Sequence, residues 1–188
     1  TKLIIPFKKW LPQKTRAVFS DAGIKTSWPE KTHSRRVIIL DGCVQPTLAP
    51  DINASAARLL DKLGIHAIRI SKDSCCGAVS QHMDVPADAK QAMRHNIDTW
   101  WPYVSTGVEA VISTASACSL TLKDYAHALK DDPYYAEKAV RISELSKDIS
   151  EVIAAEDISI LKAASEKSIA WHPPCTLQHG QKITGVVE

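Results

Sequence analysis

The segment RVIILDGC, residues 36–43, constrains the fold more than any other stretch. It is a short unbroken apolar run that halts at Asp41-Gly42, the pattern of a parallel strand covered on both faces. A helix is predicted from Asp51 to Leu63, where Ile52, Ala56, Leu59, Leu60 and Leu63 share one face at steps of three and four. Asp51 suits its N-cap and Gly64 its C-terminal stop. HAIRIS, 66–71, reads as a second strand, and Pro86 to Val104 as a helix with Ala89, Met93, Ile97, Trp100 and Val104 in register. EAVIST, 109–114, is a third strand and SIAWH, 168–172, a fourth, with helices expected over 120–129, 133–142 and 145–155. Strand–helix alternation of this kind implies an α/β fold, an open parallel sheet with helices on both faces.

On that frame the five cysteines fall into order. Cys43 ends the first strand, Cys75 and Cys76 follow the second, Cys118 the third and Cys175 the fourth. All five are thus predicted at the carboxyl edge of the strands, where open α/β sheets bind ligands. Cysteines that merely filled a core would have no reason to collect there. Adjacent cysteines seldom bridge one another, because so short a ring strains the disulfide. Converging soft thiolates suit zinc, copper(I), an iron–sulfur cluster or a thiol redox site. Neighbouring thiolates strain around one tetrahedral ion but reach two different irons of a cluster. No dinucleotide fingerprint, P-loop, H-E-x-x-H helix, paired C-x-x-C or serine elbow is present.

Each of these residues also has a plainer reading. Cys43 fits a small buried position at a strand end, and Gly42 and Gly77 serve the backbone beside the site. Cys118 falls at a helix start, where free amides and the helix dipole favour a thiolate. His82 reads as exposed rather than bonded to a cluster sulfur, His172 and His179 as surface groups, and Trp100-Trp101 as a core-and-interface pair.

The net charge of +2 conceals an asymmetry: residues 1–36 carry nine Lys or Arg against Asp21 and Glu30. With Pro6, Pro12 and Pro29 breaking it, that stretch reads as a basic arm or linker. A basic arm binds nucleic acid in company with a recognition motif, and none accompanies it, so no nucleic-acid partner is expected. The opening at Thr1 and the 188-residue length suggest a piece of a longer protein. An odd cysteine count points to a reducing compartment, hence a cytoplasmic location.

Cys43, the pair Cys75-Cys76 before Gly77, and Cys118 together resemble the cysteine-rich CCG family, found in heterodisulfide reductases and in iron–sulfur subunits of 2-hydroxy-acid oxidases. The flanking segments NIDTWWPYV (96–104), STASACS (113–119), ISELSKDISEVI (142–153) and WHPPCTLQHGQKITGVVE (171–188) are similar to the glycolate oxidase branch. The resemblance implies a first CCG domain over residues 37–160 and the start of a second, truncated repeat over 161–188. It implies that Cys43, Cys75, Cys76 and Cys118 bind iron, with Cys175 as the first ligand of the second repeat. Where related repeats carry C-x-x-C, this chain has Ala115-Ser116-Ala117-Cys118. Four thiolates still suffice for a [4Fe–4S] cluster. The resemblance further implies electron transfer from a flavin subunit toward a quinone-like acceptor, at the inner face of a membrane, with no independent catalysis. A truncated repeat leaves an apolar edge, so a homodimer of the isolated piece is expected.

Overall fold

The computed structural model describes residues 26–70, 75–161, 168 and 170–187. Four parallel strands form one sheet in the order β2-β1-β3-β4: β1 (Arg35–Ile39), β2 (Ile65–Arg69), β3 (Ala110–Ser113) and β4 (Ser146–Asp148). Val37 pairs with Ala67 on one side and Ala110 on the other, so β1 is a central strand. From β1 the chain goes first to β2 on one flank and later to β3 on the opposite flank. That reversal leaves a crevice beyond the carboxyl ends of β1 and β3, the switch point where such sheets hold ligands.

The helices are α1 (Gln45–Leu48), α2 (Asp51–Lys62), α3 (Ala78–His82), α4 (Pro86–Val104), α5 (Ser116–Lys123), α6 (Tyr125–Ala128), α7 (Ala136–Leu145) and α8 (Ile149–Ala154). They cover both sheet faces, as the alternation predicts. Val37, Ile39, Ala110 and Ile112 pack with Ala56, Ala57 and Leu60 of α2 and Val152 of α8. Ile38, Leu40 and Val111 face the other way, onto Met93, Ile97 and Trp100 of α4, Leu122 of α5, Tyr125 of α6 and Ile142 of α7. Residues 37–40 of the first strand run are all buried, which is why that stretch is continuously apolar. Among the described residues no helix is long and apolar enough to cross a membrane.

Several expectations need correction. The fourth strand is Ser146–Asp148, within the stretch read as a helix, and not SIAWH: residues 168 and 170–172 belong to no regular element. Only three residues long, β4 buries Ser146 and Asp148 instead of an apolar run, so hydrophobic patterning passes over it. Cys175 therefore does not follow a strand end. The helix behind β4 starts at Ile149 because Asp148 and Glu151 form a capping box, Asp148 Oδ1 accepting from Ser150 N at 3.0 Å and Glu151 Oε2 from Asp148 N at 2.8 Å.

Next, the helix expected over 120–129 starts earlier and breaks at Asp124 into α5 and α6, and the one expected from Pro133 starts at Ala136. Asp51 is the first residue of α2, one place past its cap at Pro50. Of the basic arm expected over residues 1–36, the first 25 residues lie outside the described residues and the described part begins at residue 26. There Trp28 sits under Arg69 at 5.4 Å and His33 bonds Asp61 at 2.8 Å. Arg35 opens β1 and grips two carboxylates, Glu109 at 2.8 Å and Glu156 at 2.7 Å.

Candidate metal centre

Three strand ends deliver four thiols to one place. After β1 the chain passes Gly42, left-handed at φ 74°, and presents Cys43 just before α1. After β2 it presents Cys75 and Cys76, then turns into α3 through Gly77, also left-handed at φ 97°. A Cβ on Gly77 would stand 3.1 Å from the Ala89 carbonyl of α4, so the turn needs glycine for both conformation and space. After β3, Ala115 caps α5 in an extended conformation and Cys118 occupies the first turn of that helix.

The thiols meet in two pairs. Cys43 Sγ donates to Cys75 Sγ at 3.5 Å, and Cys76 hydrogen-bonds Cys118. The two pairs are joined, since Cys76 also hydrogen-bonds its neighbour Cys75, and Cys118 feels the charges of both Cys75 and Cys43. Cys43 is exposed, Cys75 and Cys118 are half-buried, and Cys76 is only 1 % exposed.

This geometry divides the protons unevenly. Cys118 is held below the usual thiol range, first by the hydrogen bond from Cys76, while burial opposes the shift and the Ser113 hydroxyl assists it. Cys76 is pushed far up, first because it is the donor to Cys118 and then by burial. Loss of solvent around its sulfur, followed by its bond to Cys75, raises Cys43. Cys118 is accordingly the thiol most ready to act as a soft anionic ligand. Its place in the first turn of α5 adds the helix dipole to that preference.

The remaining candidates separate from this group. Cys175 is exposed and leads into the five-residue π-helical turn Thr176–Gly180. That turn docks on α5 by its own contacts, Ser116 Oγ to Thr176 Oγ1 at 2.6 Å and Gln181 Nε2 to the Ser116 carbonyl at 3.0 Å. His82, His172 and His179 are exposed. Trp100 is fully buried, and Trp101 is half-buried beneath the Lys138 ammonium at 5.3 Å.

Among the described residues no group of three or more His, Cys, Asp or Glu is placed to hold a single metal ion. The donor set itself, four soft thiols from three strand ends with Cys118 held below the usual thiol range, suits an iron–sulfur cluster, in which each iron takes one cysteine.

Residues 37–123, the span from β1 to the end of α5, match the family model for the CCG cysteine-rich domain. Along its whole length the chain is 41% identical to the glycolate oxidase iron–sulfur subunit of Escherichia coli K12, of which it covers 46%. A probable glycolate oxidase iron–sulfur subunit of Bacillus subtilis is 29% identical over 77% of the chain and is covered for 32% of its length. Lactate utilization protein A of Bacillus licheniformis is 28% identical over 81% of the chain, with 61% of that protein covered. The chain thus spans about half the length of the curated relatives it matches. No solved structure matches it.

Two residues at the CCG site escape the sequence reading. Asn96 of α4 and Tyr125 of α6 are both 0 % exposed. Asn96 Nδ2 donates to the Cys75 carbonyl at 3.0 Å and to Tyr125 Oη at 3.2 Å, and Tyr125 Oη donates to the Cys76 carbonyl at 2.9 Å. Asn96 was detectable. It lies on the apolar face of α4 between Met93 and Trp100, and a polar group on such a face requires a partner in the core.

Proposed function

We propose that this chain carries the electron-transfer site of a 2-hydroxy-acid oxidoreductase complex. In this reading Cys43, Cys75, Cys76 and Cys118 hold a [4Fe–4S] cluster that relays electrons from a flavin-containing partner oxidising glycolate toward a quinone-like acceptor. The complex would work in the cytoplasm, against the inner face of the membrane. One observation supports it above the rest: four of the five cysteines, from three strand ends, gather at the switch point of the sheet while Cys175 stands apart. The names of the relatives supply the substrate class.

The cluster would supply one-electron chemistry when bound. The chain's contributions are separable. Cys118 offers the sulfur held below the usual thiol range, Gly77 turns the backbone after the cysteine pair, and the buried Cys76 closes one side of the site. Ala115 takes the place at which related repeats carry another thiol, so only four protein sulfurs are available at this edge.

The test is anaerobic reconstitution with iron and sulfide, read by visible absorption and EPR, beside the double variant C75S/C76S. The expected outcome is sulfur-to-iron charge transfer in the parent alone, with about four irons per chain. Binding of zinc in place of iron, or equal colour in both proteins, would overturn the assignment. Reduction of the loaded chain by the flavin partner with glycolate, compared with other 2-hydroxy acids, then tests the substrate.

A further inference from the structure

We propose that Asn96 and Tyr125 are positioning residues that clamp the Cys75-Cys76 peptides, so that the two adjacent thiols are set in place before any metal arrives. The inference rests on the cluster reading above and adds to it the means by which the cysteine pair is set.

The argument begins with the cost of burying these groups. An asparagine and a tyrosine with no exposed surface are unfavourable in a core unless their polar atoms are bonded. Both direct hydrogen-bond donors at main-chain carbonyls, and the two carbonyls belong to consecutive residues, Cys75 and Cys76. These residues lie between the end of β2 and the start of α3, outside any ladder or helix that would otherwise fix their peptides. The Asn96-to-Tyr125 bond at 3.2 Å joins the two supports into one unit.

Fixing two successive peptide planes fixes the directions of the two side chains. Cys75 turns outward, half-buried, to meet Cys43 at 3.5 Å. Cys76 turns inward, 1 % exposed, to meet Cys118. Gly77 completes the constraint, because its left-handed turn lies against Ala89 on the same helix that carries Asn96. Adjacent thiols cannot serve one tetrahedral ion without strain, but a pair whose peptides are fixed, one sulfur beside Cys43 and the other beside Cys118, can reach separate metal atoms. The bonds from Asn96 and Tyr125 to the pair end on carbonyl oxygens, so both residues act through its backbone.

The test uses Tyr125→Phe, which removes one hydroxyl and keeps the ring, and Asn96→Ala. The control is Ile65→Val, in the apolar cluster on the opposite sheet face, which lowers stability without touching the pair. The cluster-free chain is labelled with iodoacetamide, and each cysteine is followed by tandem mass spectrometry. Tyr125→Phe is expected to speed labelling of Cys76 by about tenfold, the scale of one lost hydrogen bond on local opening. Cys175 should label at its parental rate. Asn96→Ala is expected to act chiefly on Cys75, and this variant decides the matter if Tyr125→Phe does not fold.

Equal acceleration of all buried cysteines in the variants and in Ile65→Val would overturn the proposal, because stability alone would explain it. After reconstitution, Tyr125→Phe should shift the midpoint potential and EPR signature while Ile65→Val leaves both at parental values. An unchanged potential in Tyr125→Phe would also count against the clamp. If the parent takes up no iron, the cluster reading fails, and the labelling comparison still decides the clamp.

Discussion

The two ends of the same four-stranded sheet are built from opposite materials. At the amino end, Arg35 lies between Glu109 and Glu156 and meets each carboxylate with two hydrogen bonds or more, ranging from 2.7 to 3.1 Å. At the carboxyl end, four thiols and two left-handed glycines face a crevice. The amino end joins β1 to the residues that flank β3 and follow α8, and its charges satisfy one another. The carboxyl end keeps reactive sulfur together, with protons divided unevenly among the thiols. One sheet can thus place cohesion at one edge and chemistry at the other, and a substitution should change either stability or metal loading, seldom both.

The contrast is broken most severely by Cys118→Ser. Iron loading should be lost almost entirely while the melting temperature stays near that of the cluster-free parent. A large drop in stability instead would mean that the thiol edge is structural. Gly77→Ala comes next. Its φ of 97° and the 3.1 Å approach to the Ala89 carbonyl predict a loss of about 1–3 kcal/mol in denaturant unfolding. This is the one position where stability and loading should change together, and stability within about 0.5 kcal/mol of the parent would remove the steric argument.

Arg35→Met should cost less, about 1 kcal/mol or below, because its side chain is 41 % exposed. Iron loading should be unaffected. The pH dependence carries a definite sign. Arg35 holds the Glu156 carboxyl below its ordinary value, so the associated stability is present above about pH 4.3, the unfolded glutamate value, and is lost as pH falls through the lower folded value. Denaturation curves from pH 6 down to pH 3 should therefore converge for parent and Arg35→Met, and parallel curves would count against the pair. The smallest effect is expected from Cys175→Ser, which should leave iron content and spectrum of this chain at parental values. A fall by one quarter or more would return Cys175 to the ligand set.

Much of this arrangement was legible in the residues. Three buried strand runs, each followed by cysteine, define the thiol edge because burial on both faces demands continuous apolar sequence. The fourth strand was illegible for the converse reason: Ser146 and Asp148 are buried through hydrogen bonds, Ser146 Oγ to the Ile142 carbonyl at 2.7 Å and Ser119 Oγ to Asp148 Oδ2 at 3.1 Å. Hydrophobic period carries no trace of such pairing. Misplacing that strand also gave Cys175 a strand end it does not have. The division of the thiols into Cys43 with Cys75 and Cys76 with Cys118 was equally hidden, since it depends on peptide orientations held by residues from α4 and α6. The family resemblance identified the cysteines but said nothing of how adjacent ones are separated.

The strand order β2-β1-β3 also bears on how the protein is made. A ribosome releases Cys43 first, then the Cys75-Cys76 pair, and Cys118 only after the whole of α4 has emerged. Until β3 docks beside β1 the fourth sulfur has no fixed position, so an assembly machinery that offers iron too early meets an incomplete set of ligands. In the proposed reading the set of four sulfurs is complete once β3 has docked beside β1 and α5 has followed it, before β4 joins the sheet.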